Sequence, residues 1–152
     1  MIDAELAAFL EGSVAIHLAS RNDRLEPNGA RVVAVKVDAD GSHITAYVPK
    51  VAAASVLADL ESNRQGAIGF GRPTDDRACQ VKGEFVESRP ATPRERGMID
   101  RQWAALLDNL AQIGIPPQIS GAWRLWPCVA IRMRVTALFS QTPGPGAGAP
   151  LR

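Results

Sequence analysis

Bulky apolar residues recur at every second position through much of this chain and at every third or fourth in only a few stretches, so strands predominate. From Ser13 to Ser20, Val14, Ile16 and Leu18 alternate with Ala15, His17 and Ala19. A second alternating run covers Ala30 to Val37, and the turn-forming cluster Asp38-Ala39-Asp40-Gly41-Ser42 leads into a third from His43 to Val48. Arg21 to Gly29, with Asn22, Asp23, Pro27 and Asn28, has turn chemistry. The expectation is an antiparallel meander of three strands. Further strands are expected at Gly66 to Phe70, Ala78 to Glu87 and Val129 to Phe139.

Helical spacing appears three times. Asp3 to Phe9 reads as a short helix ended by Gly12, and Val51 to Asn63 carries Val56, Leu57 and Leu60 on one face. The clearest helix begins at Thr92. A threonine cap, Pro93 at the first helical position and Glu95 three residues past the cap form a capping box. Behind it Ile99, Trp103, Leu106, Leu107, Leu110 and Ile113 recur until Gly114. Pro116 and Pro117 end it, and a short connection through Gly121 leads to the last strand. About six strands with flanking helices describe an α+β domain on an antiparallel barrel-like sheet, residues 1–140, followed by a Pro/Gly-rich arm, residues 141–152. No internal repeat or second-domain boundary interrupts it.

Composition narrows the function classes. The 152 residues carry 17 Lys+Arg against 16 Asp+Glu, a net charge of +1, which argues against a nucleic-acid binder or an anionic-membrane binder. No stretch approaches the roughly 20 apolar residues of a membrane helix, and Met1 opens into an amphipathic segment, so the expected compartment is the cytoplasm. Cys79 and Cys128 lie in apolar or alternating segments, and with only His17 and His43 beside them no zinc spacing exists; buried free thiols are expected. There is no GxSxG for a triad, and Gly66, Gly69 and Gly71 lack the register of a phosphate loop. Asp75 and Asp76, flanked by Arg72 and Arg77, read as a solvated turn, so no metal site is expected.

What remains is a set of cations on strands. Arg31 and Lys36 stand five apart on the expected second strand, which would send them to opposite faces or to opposite sides of a twisted edge. Gln80 and Lys82 share one face of a long strand and offer a seat for an anionic ligand.

Arg31-Val32-Val33-Ala34-Val35-Lys36 resembles the Arg-x-Val-x-x-Lys strand of the pyridoxamine 5'-phosphate oxidase-like, FMN-binding split-barrel family. The strand ending Ala46-Tyr47-Val48 follows as it does there. Phe70-Gly71-Arg72-Pro73, leading to Arg77-Ala78-Cys79-Gln80-Val81-Lys82-Gly83, is similar to its bacterial members, and with the Gln-Thr-Pro-Gly-Pro tail the likeness spans most of Phe9 to Leu151.

The resemblance implies an antiparallel split barrel that forms a homodimer, with FMN or a related flavin-like cofactor between the subunits and a small-molecule substrate. It implies that Arg31 and Lys36 contact the flavin phosphate or ring and that Tyr47 and Val48 line the site; Lys50, Gln80 and Lys82 are further candidate contacts, with Lys82, Arg77 or Arg72 as the cations that would compensate for a missing phosphate clamp. Two departures follow. Where the family has a cationic phosphate clamp, this chain has Val51-Ala52-Ala53-Ala54 with only Lys50 nearby. Losing two charge-assisted hydrogen bonds of roughly 1.5–3 kcal/mol each would weaken FMN by about two to four decades. The segment around Trp123 and Trp126 also lacks the family's C-terminal Arg/His substrate motif. The implied function is a flavin-dependent oxidoreductase; the alternative is a dimer that binds or senses a small flavin-like, anionic or aromatic ligand without flavin chemistry.

Overall fold

The structure is a computed structural model that describes residues 1–121 and 125–151. Its strands are β1 (Ala15–Arg21), β2 (Pro27–Val32), β3 (Ala34–Val37), β4 (His43–Pro49), β5 (Gln65–Gly71), β6 (Ala78–Pro90) and β7 (Cys128–Ser140). The helices are α1 (Ala4–Leu10), α2 (Ala54–Asn63), α3 (Pro93–Gln112) and α4 (Pro117–Ser120), with a single 3-10 turn at Lys50–Ala52.

The expected second strand is two strands. Ala30 and Val32 face the core, Val33 and Ala34 face the opposite side, and Val35 returns to the core. The break at Val33 shifts the alternation by one residue. Seven strands result instead of about six, and Arg31 and Lys36 both lie on the side away from the core, not on opposite faces but on the two edge strands of the sheet.

The break also replaces the expected meander. The strands form one antiparallel sheet in the order β2-β1-β5-β6-β7-β4-β3, so β2 and β3, one residue apart in the chain, are its two edges. A sheet whose edges are joined by one residue must roll until they meet. This makes a split barrel: β2 and β3 converge at Val33, whose N–H donates to Tyr47 O at 2.9 Å, yet no ladder joins them.

Inside the roll, Leu18, Val35, Ile44, Val48, Ile68 and Ile131 are fully buried, and α2 closes it with Val56 and Leu60. A buried carboxylate fastens α2 to the sheet: Asp59 accepts from Ser20 Oγ at 2.7 Å and from Asn28 Nδ2 at 2.8 Å. A smaller cluster lies outside the barrel, where Ile99, Trp103 and Leu106 of α3 pack on Val33, Ala34, Tyr47, Cys128 and Ala130. The capping box at Thr92 and Glu95 is present as the sequence predicts.

The arm doubles back on its own chain. Ser140 N–H donates to Ala149 O at 2.9 Å and Leu151 N–H to Leu138 O at 2.8 Å. β4 pairs with β7 only from Cys128 to Arg134, so the arm covers part of the β7 edge that β4 leaves open.

Candidate functional site

Strand alternation divides the outward side of the barrel into two surfaces. The first spans β2, β1, β5 and the start of β6. Register aligns Arg31, His17, Gly69, Gln80 and Phe139 in one cross-strand row, and Gly29, Ala19, Ala67, Lys82 and Ala137 in the next. The floor is nearly bare backbone: a Cβ added at Gly69 or Gly71 would meet nothing within 4 Å. Lys82 holds its ammonium 5.0 Å from the Phe139 ring centroid. Lys82 and Arg21 line a shallow trough of about 350 Å³ over Ala19, Gly66 and Ala67.

No carboxylate stands on the outward positions of β1, β2, β5 or of β6 from Ala78 to Lys82. Partial burial lowers the pKa of the Arg31 guanidinium, and burial together with Arg31 lowers that of His17. His17 therefore stays neutral at pH 7 beside a charged Arg31.

The second surface lies on β6, β7, β4 and β3 beside the N-terminus of α3. A cleft of about 270 Å³ there is lined by Lys36, Tyr47, Glu87, Arg89, Glu95 and Arg132, among others. Tyr47 is 1% exposed, and its hydroxyl donates to Glu95 Oε1 at 2.7 Å. Arg89 grips the same carboxylate through both terminal nitrogens, at 2.9 and 2.7 Å. Thr92 N–H donates to it at 2.7 Å. Glu95 thus caps α3 and ties the helix to β4 and β6. The Arg89 pair, above all, holds its carboxyl far below the usual range. Burial and the Glu95 carboxylate push the Tyr47 phenol well above its ordinary pKa, so it donates and does not ionise.

The residues the sequence singles out are distributed over these surfaces. Arg31, Gln80 and Lys82 share the first; Lys36 and Tyr47 share the second. Val48 is fully buried with its side chain in the barrel core, leaving only its backbone for a site. Lys50 lines a neighbouring cleft of about 260 Å³ with Ser88, Arg89 and Cys128. Arg77 lies apart, with its guanidinium 4.5 Å from the Phe9 ring centroid and 3.4 Å from Glu5. Arg72 is 5.4 Å from the same ring and pairs with Asp75 at 2.6 Å. These two arginines pin α1 to the β5–β6 loop. Trp123 lies outside the described residues.

Sequence reasoning missed Arg89, Arg132, Arg21 and the second role of Glu95. Arg89 lies beyond Glu87, where the expected strand stops, whereas β6 runs on to Pro90. Arg132 alternates legibly on β7, but its pairing with Asp38 at 2.6 Å depends on distant strands meeting.

The thiols are free and buried, as expected; desolvation pushes both Cys79 and Cys128 up to about 11, which keeps them protonated at neutral pH. Asp38, Asp40 and His43 gather within 4.8 Å at the β3–β4 hairpin, but Arg132 occupies Asp38, and Ser42 holds Asp40 at 2.8 Å. Those groups stabilise the turn. Among the described residues no helix is long and apolar enough to cross a membrane.

No protein-family profile and no curated protein matches the sequence. Solved structures do match the fold. An F420 reductase is 18% identical with a TM-score of 0.57, covering 86% of this chain and 93% of its own. An FMN-binding protein of Syntrophomonas wolfei is 14% identical at 0.54, covering 91% and 87%. A Lactobacillus delbrueckii protein provisionally assigned as a pyridoxamine 5'-phosphate oxidase is 10% identical at 0.56, covering 90% and 92%. The fold is that of the pyridoxamine 5'-phosphate oxidase-like split barrels.

Proposed function

We propose that the protein binds a flavin-type cofactor on the β2-β1-β5-β6 face, between two copies of the chain, and acts as an oxidoreductase on a small molecule. The observation that carries this is the composition of that face. A flat floor of Gly and Ala, open above Gly69 and Gly71, is bordered by Arg21 and Lys82, and among the described residues no carboxylate stands on the outward strand positions of this face. A planar ring needs such a floor, and a phosphate tail needs cationic donors beside it. Arg31 and Lys82 would hold the anionic part, and Gln80 and neutral His17 would hydrogen-bond the ring edge. When bound, a flavin-type ring supplies hydride or electron transfer, and the chain supplies orientation and electrostatics.

Among the described residues the face is open on one copy, which supports a homodimer that covers it. A monomeric mass by light scattering at micromolar concentration would count against this. Titration with FMN and with F420 tests the cofactor. Micromolar or tighter binding of one of them, weakened by Arg31→Ala, is expected; no binding of either at near-millimolar concentration overturns the reading. A second reading, a ligand-binding dimer without flavin chemistry, is favoured by Val51-Ala52-Ala53-Ala54 at the place of the family's clamp. Bound cofactor that no reductant or oxidant turns over would select it.

A further inference from the structure

The cleft beside α3 has a charge arrangement unlike that of the cofactor face. Its lining carries three cations, Lys36, Arg89 and Arg132, and three carboxylates, Asp38, Glu87 and Glu95. Two pairs neutralise each other: Arg132 with Asp38 at 2.6 Å and Arg89 with Glu95 at 2.7 Å. Lys36 and Glu87 stand outside these pairs, although Glu87 also adds its field to that of Glu95 on Arg89. The side chains of Lys36 and Glu87 make no hydrogen bond or ion pair among the described residues, and both are exposed.

These two residues end one cross-strand row. Register places Glu87 opposite Arg132, Arg132 opposite Thr45 and Thr45 opposite Lys36. Neighbouring strands lie about 4.8 Å apart, so three steps separate the two backbones by about 14 Å. Both side chains line the cleft, and the span between them leaves room for a molecule of a few carbon atoms. Small Ala130, itself buried, stands in the adjoining row between Arg89 and Tyr47 and lines the cleft there.

We infer that this cleft binds a small zwitterion, with its anionic group on Lys36 and its ammonium on Glu87. A free dianion is repelled by three carboxylates, and a plain cation by three basic groups. A molecule carrying both charges meets at each end a group of opposite charge that makes no hydrogen bond or ion pair among the described residues. The size agrees, because about 270 Å³ falls below the roughly 300–1,000 Å³ of ordinary small-molecule sites. The inference needs no cofactor on the other face, so its failure and that of the flavin reading are separable.

The test uses the full-length protein without added cofactor, titrated with 4-aminobutyrate, butyrate and butylamine by calorimetry and amide NMR shifts. Among the three probes, 4-aminobutyrate is expected to bind at least about tenfold more tightly than either single-charge analogue. Glu87→Gln should weaken 4-aminobutyrate by about tenfold and leave butyrate unchanged, whereas Lys36→Gln should weaken both acids and spare butylamine. Both positions are exposed, so the variants should melt as the parent does, which separates lost binding from lost fold. Butyrate binding as tightly as 4-aminobutyrate would make this a plain anion site and overturn the inference. So would the absence of saturable binding of 4-aminobutyrate up to about 100 mM, the weak end of measurable affinity.

Discussion

The carboxamide of Gln102 pairs with both backbone groups of Val35: its Oε1 accepts from Val35 N–H at 2.9 Å and its Nε2 donates to Val35 O at 2.8 Å. This is the bonding that a neighbouring strand would offer. β3 is the edge where β2 would have to add to close the barrel, and a side chain from α3 occupies that place. Glu11 does the same one step on, its Oε1 accepting from Val37 N–H at 2.7 Å. The split in the barrel is therefore filled by side chains.

Gln102→Leu keeps the volume and removes both bonds, leaving a half-buried N–H and C=O on β3. A loss of about 2–3 kcal/mol is expected, since orphaned buried backbone groups cost about 1–3 kcal/mol. Urea unfolding with an unchanged m-value measures it; a loss below about 0.5 kcal/mol, the scale of ordinary surface changes, would mean that water replaces the amide freely.

Glu95 sets an acid limit on stability. Its folded pKa is depressed below 4.5, first by Arg89, so its contribution is complete above 4.5 and is lost as pH falls through the lower folded value. Glu95→Gln should cost about 1–2 kcal/mol at pH 7, from the cap and the ion pair, and should flatten the decline of stability below 4.5. Parallel melting curves for the two proteins across that acid range would contradict this.

His17 acts over a milder range. Its folded pKa lies below 6.5, so above 6.5 it contributes no pH dependence, and as pH falls below 6.5 the unfolded chain takes up a proton that the folded chain resists. Wild-type stability should decline relative to His17→Gln from pH 6.5 downward. Equal slopes for both proteins would contradict the lowered value.

Gly69 separates folding from binding. A side chain there meets open space, and valine favours a strand, so Gly69→Val should leave the melting temperature unchanged or raise it. If a ring lies on the bare backbone, the same change should abolish flavin binding. Undiminished FMN or F420 affinity in a well-folded Gly69→Val protein would move the cofactor off this face.

Local order was legible where period and caps were distinct. Alternation through Val14, Ile16 and Leu18 and the capping box at Thr92 both appear as expected. The break at Val33 was not legible, because Val32-Val33-Ala34-Val35 is uniformly apolar and both of its faces are covered, one by the core and one by α3. The cations divide in the same way. That Gln80 and Lys82 share a face follows from their spacing alone, whereas the grip of Arg89 on Glu95 exists only because the far end of β6 reaches α3. The neutrality of the second cleft likewise comes from strands that meet only in the folded sheet.

The one-residue link at Val33 also constrains how the chain assembles. The β1–β2 and β3–β4 hairpins are local and adjacent in sequence, yet three later strands, β5, β6 and β7, must be inserted between them. The β1–β2 hairpin can add β5 as soon as that strand is made, but the β3–β4 hairpin reaches its final neighbour only when β7, near the end of the chain, has been made. The barrel must therefore be completed late, by β4–β7 pairing across a long stretch of chain, whose closure entropy is lost before the pairing enthalpy returns. Refolding on the millisecond-to-second scale of non-local β proteins is the expected kinetic signature of a barrel joined at one residue.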